Sequence, residues 1–272
     1  MRIVCVEDYR RLSVIAADIV VELMQAKPDA VLGLATGSTP IGLYRELVRR
    51  EREGQVDCSH ATTFNLDEYL GLPEEHPQSY RHFMEEHLFG RLRRRPRKTY
   101  IPPSLPDDLD EACRAYEERI REHGGIDLQI LGIGRNGHIG FNEPGSSLGS
   151  RTRPVALRPE TIADNARFFS SPEEVPRYAI TMGIGTILEA RQIVLLASGL
   201  NKSEAVQQAV EGPITCQCPA SALQMHPNVV MILDEEAASR LENLDYYREL
   251  EEARSRMAAI LEEARRRTVR AS

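Results

Sequence analysis

The sequence predicts an α/β protein: a single domain over residues 1–272 with one doubly wound, mostly parallel sheet flanked by helices and a C-terminal helical extension over about residues 246–268. The main observation is that short apolar segments typical of buried strands alternate with longer segments whose apolar residues recur at helical spacing. No repeat, low-complexity tract or linker-like change of composition divides the chain. Its 272 residues are enough for one large core.

In the first half of the chain, the patterns predict helices over residues 8–27, 41–52, 77–89 and 107–123, and strands over residues 30–35 and 61–65. The first helix carries Leu12, Ile19 and Leu23 on one face and ends before Pro28. Pro40 suits the first turn of the second helix. Asp107 or Asp108 is expected to cap the fourth.

In the second half, the patterns predict strands over residues 126–133, 178–182, 192–198 and 229–233. Helices are expected over residues 158–169, from the Gly183 region to Ala190, after Asn201, after Asp234 and over residues 246–267. The last helix carries Leu250, Met257 and Leu261 on one face, which could pack on its own domain or on a partner subunit.

Composition and charge exclude several classes of function. The net charge of −7 argues against a general nucleic-acid or membrane binder, and the basic run over residues 91–98 lacks interleaved aromatic residues. The five cysteines are scattered and show no metal-ligand spacing, so free thiols and no metal are expected. The N-terminus lacks a signal-peptide apolar segment, and no apolar run approaches membrane-spanning length. A cytoplasmic location is therefore expected.

The segment over residues 131–144 (LGIGRNGHIGFNEP) has the highest density of groups suited to catalysis. Its glycines allow close approach to a ligand, and His138 and Glu143 could transfer protons near neutral pH. The alternative is a glycine-rich turn with a solvent-facing histidine. The spacing Gly132-x-Gly134-x-x-Gly137 matches a dinucleotide fingerprint, but the following residues do not favour a helix and the expected acidic residue is missing. The fold is therefore predicted to be Rossmann-like without a dinucleotide site.

Polar residues also follow other predicted strands. The loop from Thr36 to Thr39 precedes a helix, where free backbone N–H groups and the helix dipole favour an anion, although an ordinary capped helix is the alternative. Asp67 follows the next strand, where adjacent carboxylates are commonly just solvated. Lys202 begins a helix, which is unfavourable for the helix dipole and therefore notable, although a solvated lysine is the alternative.

Since the carboxyl ends of parallel strands share one edge of a sheet, these residues and Gly183–Thr186 are predicted to meet in one crevice. Such a crevice would hold a phosphate-binding loop, cations, an acid–base histidine and carboxylates. In a chain of negative net charge, an anionic ligand requires such a local cluster of positive groups.

Several segments also resemble the glucosamine-6-phosphate deaminase (isomerase) family. They are TGSTP at residues 36–40, FNLDEYLGLP at 64–73, GRNGHIGFNEP at 134–144, SRTR at 150–153, DNARFF at 164–169, ITMGIG at 180–185 and LQMHP at 223–227. The resemblance runs in order across nearly the whole chain. It implies conversion of glucosamine 6-phosphate to fructose 6-phosphate and ammonia without a metal or organic cofactor.

The resemblance also implies roles for individual residues. Asp67 would be the base that moves the C2 proton to C1, and His138 would open the sugar ring. Glu143 and Asn136 would form a relay with His138; some family members have aspartate at the latter position, and Asn136 cannot stabilise an imidazolium by charge. The phosphate would be bound by Gly37, Ser38, Thr39, Arg167 and Lys202.

Two alternatives remain open at this stage. A 6-phosphogluconolactonase-like hydrolase would have a similar sugar-phosphate site but no need for the base at Asp67. A non-enzymatic sugar-phosphate sensor, as in sugar-responsive repressors, would need a DNA-binding module, and the sequence shows none.

The resemblance further implies a possible homo-oligomer, a hexamer in some family members, formed through the C-terminal region. Such members are activated by N-acetylglucosamine 6-phosphate at a second site, which falls here on Ser146, Arg153, Val155, Ala156 and Tyr246. Val155 stands where activated members carry a lysine and Ala156 where they carry a hydroxyl residue. Weak or absent activation is therefore expected.

Overall fold

The computed structural model describes residues 1–271, with side chains up to residue 261 and that of Glu263, so the predicted end of the domain at residue 272 lies outside it. The strands among these residues are β1 (Arg2–Val6), β2 (Val31–Leu34), β3 (Thr62–Asn65), β4 (Asp67–Tyr69), β5 (Lys98–Tyr100), β6 (Leu128–Leu131), β7 (Arg153–Ala156), β8 (Tyr178–Thr181), β9 (Gln192–Ala197) and β10 (Val229–Asp234). The helices are α1 (Tyr9–Ala26), α2 (Ile41–Arg52), α3 (Tyr80–His87), α4 (Leu109–Glu122), α5 (Pro159–Asn165), α6 (Ile184–Leu188), α7 (Ser203–Val210), α8 (Glu235–Ala238) and α9 (Leu244–Ala271).

Within this part of the chain, seven strands form a fully parallel sheet in the order β1-β10-β9-β6-β2-β3-β5. Its central strands are buried along their whole length, because helices cover a parallel sheet on both faces. This confirms the predicted α/β class with a mostly parallel sheet. The helix starts follow local chemistry: Asp8 caps α1 and Asp108 caps α4, each accepting a hydrogen bond from a backbone N–H.

The strand order places a crevice at the centre of the sheet. After β2 the chain adds β3 and β5 on one side, whereas β6, β9 and β10 lie on the other. The order therefore reverses between β2 and β6, which is where open α/β sheets bind ligands at the carboxyl ends of the strands. Two buried tyrosines fix these ends: the Tyr44 hydroxyl donates to the carbonyl of Ala35, and the Tyr116 hydroxyl donates to the carbonyl of Asn65 at 2.7 Å.

One topological prediction was wrong. The strand predicted over residues 178–182 exists, but β8 lies in a separate antiparallel sheet, between β4 and β7. Gly183 therefore packs against the backbone of Ser150, and the Thr186 hydroxyl donates to Glu117 at 2.6 Å, so Gly183–Thr186 does not enter the crevice. The residue pattern of β8 is that of any buried strand, and it does not indicate which strand pairs with β8.

Several local predictions also need correction. Asp67 lies in β4 rather than in a loop. The helix predicted over residues 77–89 begins only at Tyr80, because Ser79 caps it, and the helix predicted over 158–169 ends at Asn165 and continues as a 3₁₀ turn over Ala166–Phe168. Strands β1, β4, β5 and β7 were not predicted; β4, β5 and β7 are short edge strands, and β5 and β7 lack a continuous apolar run.

The C-terminal helix α9 packs its first turns on the domain. Arg2 in β1 forms a part-buried salt bridge with Glu251, and the Tyr247 hydroxyl donates to Glu211 at 3.2 Å. Farther along, Met257 and Leu261 are 58% and 61% exposed, so this apolar face has no cover from the described residues. Across residues 1–271, no helix combines the length and the apolar character needed to cross a membrane.

Candidate active site

A cavity of about 210 Å³ opens at the point where the strand order reverses. Its walls are the loops after β2, β3, β6 and β9, together with α5 and the turn that follows it. The predicted site residues that line it are Gly37, Ser38, Thr39, Asp67, His138, Arg167 and Lys202. Asn136 and Glu143 lie behind His138, to which they are connected by the contacts described below. The structure thus brings together residues from five separate segments of the chain.

The loop over residues 36–39 lies at the start of α2, and the N–H groups of Gly37, Ser38 and Thr39 donate to no backbone carbonyl among the described residues. Gly37 has a φ of 97°, a left-handed conformation that favours glycine. The N-cap residue of α2 is Pro40, whose side chain cannot accept a hydrogen bond from the first turn. Tyr9 of α1 braces the loop: its hydroxyl donates to the carbonyl of Thr39 at 2.9 Å and accepts from the N–H of Gly42 at 2.7 Å. The geometry is that of a helix N-terminus open to an anion.

Two cations border the same cavity and have no ion-pair partner among the described side chains. Arg167 is exposed and lies over the Phe168 ring at 4.7 Å, and Lys202 is partly buried in the turn before α7. Burial lowers the pKa of Lys202, and the neighbouring Arg135 and Arg167 lower it further, against the opposing effect of Asp164. An anion placed between the two side chains would relieve this repulsion.

Asp67 is the buried carboxylate that faces the cavity. It is 5% exposed, and none of the described residues donates a hydrogen bond to its side chain. Burial, with a smaller contribution from Glu68, raises its pKa to about 8. A carboxyl group with such a pKa can both take up and return a proton near neutral pH.

The adjacent carboxylate has a different environment. Glu68 accepts hydrogen bonds from the backbone N–H groups of Tyr69, Tyr80 and Arg81, at 2.8 to 3.0 Å. It therefore anchors the first turn of α3, where a negative charge is favourable. Of the two acidic residues that the sequence places side by side, only Asp67 lines the cavity.

His138 is connected to Glu143 through Asn136. The His138 Nδ1 lies 2.8 Å from the Asn136 Oδ1, and the Asn136 Nδ2 donates to the Glu143 Oε2 at 2.9 Å. Since an amide oxygen can only accept, His138 must carry its proton on Nδ1, which leaves Nε2 as the basic nitrogen of the neutral ring. The Glu143 Oε2 also lies 3.6 Å from Nδ1, so a carboxylate charge is close to the ring in spite of the neutral Asn136.

Glu143 is held as an anion. It is 7% exposed, and burial alone would raise its pKa, but the opposing effects of His138, Thr161 and Asn136 lower it to about 2. The Thr161 hydroxyl of α5 donates to the Glu143 Oε1. Gly134 leaves room for the imidazole: a Cβ at this position would lie 2.2 Å from the His138 ring.

Several residues around the cavity were missed by the sequence analysis. Arg135 forms a two-pronged salt bridge with Asp164 of α5, at 2.9 and 2.6 Å, and both line the cavity. Tyr9, Thr161 and Asn201 were likewise not predicted to belong to the site. Their residue types are common on any helix or loop, so no local pattern marks them; only the packing of distant segments brings them to the site.

Comparisons with known proteins show which family this chain resembles. The family model described as glucosamine-6-phosphate isomerases/6-phosphogluconolactonase matches residues 9–232. The glucosamine-6-phosphate deaminase of Hahella chejuensis is 56% identical over 248 residues, which are 91% of this chain and 95% of that protein. The deaminase of Halothermothrix orenii is 54% identical over 241 residues, which are 89% of this chain and 100% of that protein.

Solved structures show the same relationship. One described as a monomeric glucosamine-6-phosphate deaminase has a TM-score of 0.86 at 48% identity, covering 88% of this chain and 99% of its own. The 6-phosphogluconolactonase of Trypanosoma brucei has a TM-score of 0.69 at 20% identity, covering 88% of this chain and 98% of its own, which shows a shared fold alone. This chain belongs to the family of glucosamine-6-phosphate isomerases and 6-phosphogluconolactonases.

Proposed function

We propose that this chain converts glucosamine 6-phosphate to fructose 6-phosphate and ammonia. The observation that carries the proposal is that a helix N-terminal loop, two cations without an ion-pair partner among the described side chains, a buried acid and a histidine all line one cavity. The deaminases of more than 50% identity support it. The cationic side of the cavity suits a phosphate, and the side with Asp67 and His138 suits proton transfer.

Ring opening is the first task. His138, protonated on Nδ1, presents Nε2 as a base that takes the proton of the anomeric hydroxyl and returns it to the ring oxygen. The imidazole of His138 becomes an imidazolium for as long as it holds this proton. The Glu143 carboxylate, 3.6 Å from Nδ1, stabilises the imidazolium electrostatically. Asn136 keeps the imidazole oriented, because its side-chain amide forms hydrogen bonds with both His138 and Glu143.

Isomerisation is the second task. Asp67 takes the proton from C2 of the open-chain sugar and delivers it to C1, which produces a ketimine through an enolamine; water then hydrolyses the ketimine to fructose 6-phosphate and ammonia. The positive charge of the substrate's ammonium group favours the ionised form of Asp67 when the substrate is bound. Because the pKa of Asp67 is high, its carboxyl group can keep the proton after removing it from C2 and before delivering it to C1.

The proposal is tested by incubating the purified protein with glucosamine 6-phosphate and measuring ammonia and fructose 6-phosphate. Equal amounts of both products are expected. Hydrolysis of 6-phosphogluconolactone without ammonia release from the amino sugar would instead favour the lactonase alternative, in which Asp67 has no task. Tight binding of glucosamine 6-phosphate without turnover would favour a sensor.

A homo-oligomer formed through α9 is a further part of the proposal. It is supported by the exposed apolar face of that helix, on which Leu250, Met257 and Leu261 are each at least half exposed. The similar structure described as monomeric shows that the fold does not require a partner. Light scattering coupled to gel filtration would decide the state, with the double variant Leu250→Glu and Met257→Glu as the monomeric control. We also propose that the protein is cytoplasmic and acts in the breakdown of amino sugars.

A further inference from the structure

The segment over residues 159–168, which comprises α5 and the turn after it and is called here the α5 segment, touches both halves of the site. Its C-terminal end carries Arg167 at the cationic side of the cavity. Nearer its start, Thr161 is 4% exposed and its hydroxyl donates to Glu143. One short stretch of backbone thus connects Arg167, a cation proposed to bind the phosphate, with the Glu143 carboxylate behind His138.

The two oxygens of Glu143 have separate partners. Oε2 accepts from the amide of Asn136, the residue that orients His138, whereas Oε1 accepts from Thr161. The carboxylate is therefore held from two sides, and its orientation depends on the position of the α5 segment. If Thr161 moved away, one hydrogen bond to a buried charge would be lost and Glu143 could turn away from Asn136.

We propose that Thr161 is a positioning residue through which phosphate binding at Arg167 holds Glu143, Asn136 and His138 in the geometry for ring opening. This inference rests on the proposed function and deepens it. Interactions with a remote, non-reacting group can be used to orient the reacting groups, so that a truncated substrate loses turnover as well as affinity. The phosphate would then contribute to kcat, not only to KM.

Other contacts also attach the α5 segment to the loop over residues 135–144, but they are less suited to this task. Asp164 pairs with Arg135 at a position where both side chains are about half exposed, and such surface pairs contribute little. The link between Thr161 and Glu143 is the buried one that reaches the relay itself.

The test supplies the sugar and the phosphate-like anion as two separate molecules. Unphosphorylated glucosamine is assayed for ammonia release with and without inorganic phosphite. Phosphite is a dianion that can bind where the phosphate is proposed to bind, while the sugar occupies the rest of the cavity. For the unmodified protein, saturating phosphite should raise the turnover of glucosamine about 10-fold or more, the equivalent of one hydrogen bond to a charged group. Thr161→Val, which keeps the shape but removes the hydroxyl, should abolish this activation, and Thr161→Ser should retain it.

A matched control is a buried threonine that does not line the cavity. Thr186 is equally buried and its hydroxyl donates to another buried carboxylate, Glu117, outside the cavity. Thr186→Val should therefore retain full activation by phosphite, even if it lowers the Tm as much as Thr161→Val. The affinity for phosphite, measured as competitive inhibition against glucosamine 6-phosphate, should be similar in all variants.

Two results would overturn the inference. One is activation of Thr161→Val to the same extent as the unmodified protein. The other is phosphite that competes with glucosamine 6-phosphate in the unmodified protein and yet leaves the turnover of glucosamine unchanged. Failure of the proposed function is distinguishable from both, because the unmodified protein would then release no ammonia from glucosamine 6-phosphate itself.

Discussion

Replacement of the buried acid by its amide, Asp67→Asn, should make the protein more stable and nearly inactive. Asp67 is 5% exposed, has no hydrogen-bond donor among the described residues, and has its pKa raised from 3.8 to about 8. Burial of the charged form is therefore unfavourable for folding. The amide has nearly the same shape and carries no charge, so it removes this cost.

The sign and size of the effect follow from the pKa shift. Between about pH 4 and pH 8 the folded state binds the proton more tightly than the unfolded state, so the penalty is absent below this window and complete above it. Each unit of difference corresponds to about 1.4 kcal/mol, which gives at most about 4 kcal/mol at pH 7. A buried amide without partners costs about 1–3 kcal/mol of this gain. The net gain is therefore about 1–3 kcal/mol, and at about 2–4 °C per kcal/mol Asp67→Asn should raise the Tm by about 2–12 °C at pH 7 and should not raise it at pH 4.

Two measurements check this prediction. Thermal unfolding at pH 4, 6 and 8 should show a difference in Tm that grows with pH, whereas Asp164→Asn, at a half-exposed and paired carboxylate, should show no such gain. Turnover of glucosamine 6-phosphate by Asp67→Asn should fall about 10²–10⁴-fold, the usual contribution of a positioned general base, with little change in KM. A Tm difference that is independent of pH, or turnover near that of the unmodified protein, would refute the reasoning.

Three further predictions concern the rest of the site. His138→Gln should slow turnover of the ring-closed substrate but preserve exchange of the C2 proton on an open-chain analogue; equal loss of both would contradict the separation of roles. Arg167→Ala or Lys202→Ala should weaken binding of glucosamine 6-phosphate about 10- to 150-fold, the range for one charge-assisted hydrogen bond, measured by titration calorimetry with glucosamine as control. N-acetylglucosamine 6-phosphate should activate little or not at all, because Val155 and Ala156 offer a phosphate neither charge nor hydroxyl; a sigmoidal rate curve that it makes hyperbolic would disprove this.

The relation of sequence to structure differs between the main sheet and the site. The alternation of strands and helices, the caps at Asp8 and Asp108 and the bounds of α2 could all be predicted, because propensity and apolar spacing are local properties. The convergence of the loops after β2, β3, β6 and β9 was also predictable, since parallel strands present their carboxyl ends at one edge.

The sequence by itself therefore determined the fold class and the family resemblance, and it predicted several residues that line the cavity. Only the tertiary structure decided the surroundings and the partners of these residues. It placed β8 in a second sheet, tied Glu68 to α3 while leaving Asp67 to face the cavity, and brought Thr161 against Glu143. These outcomes depend on burial and on partners far apart in the chain, and a local pattern carries no information about either.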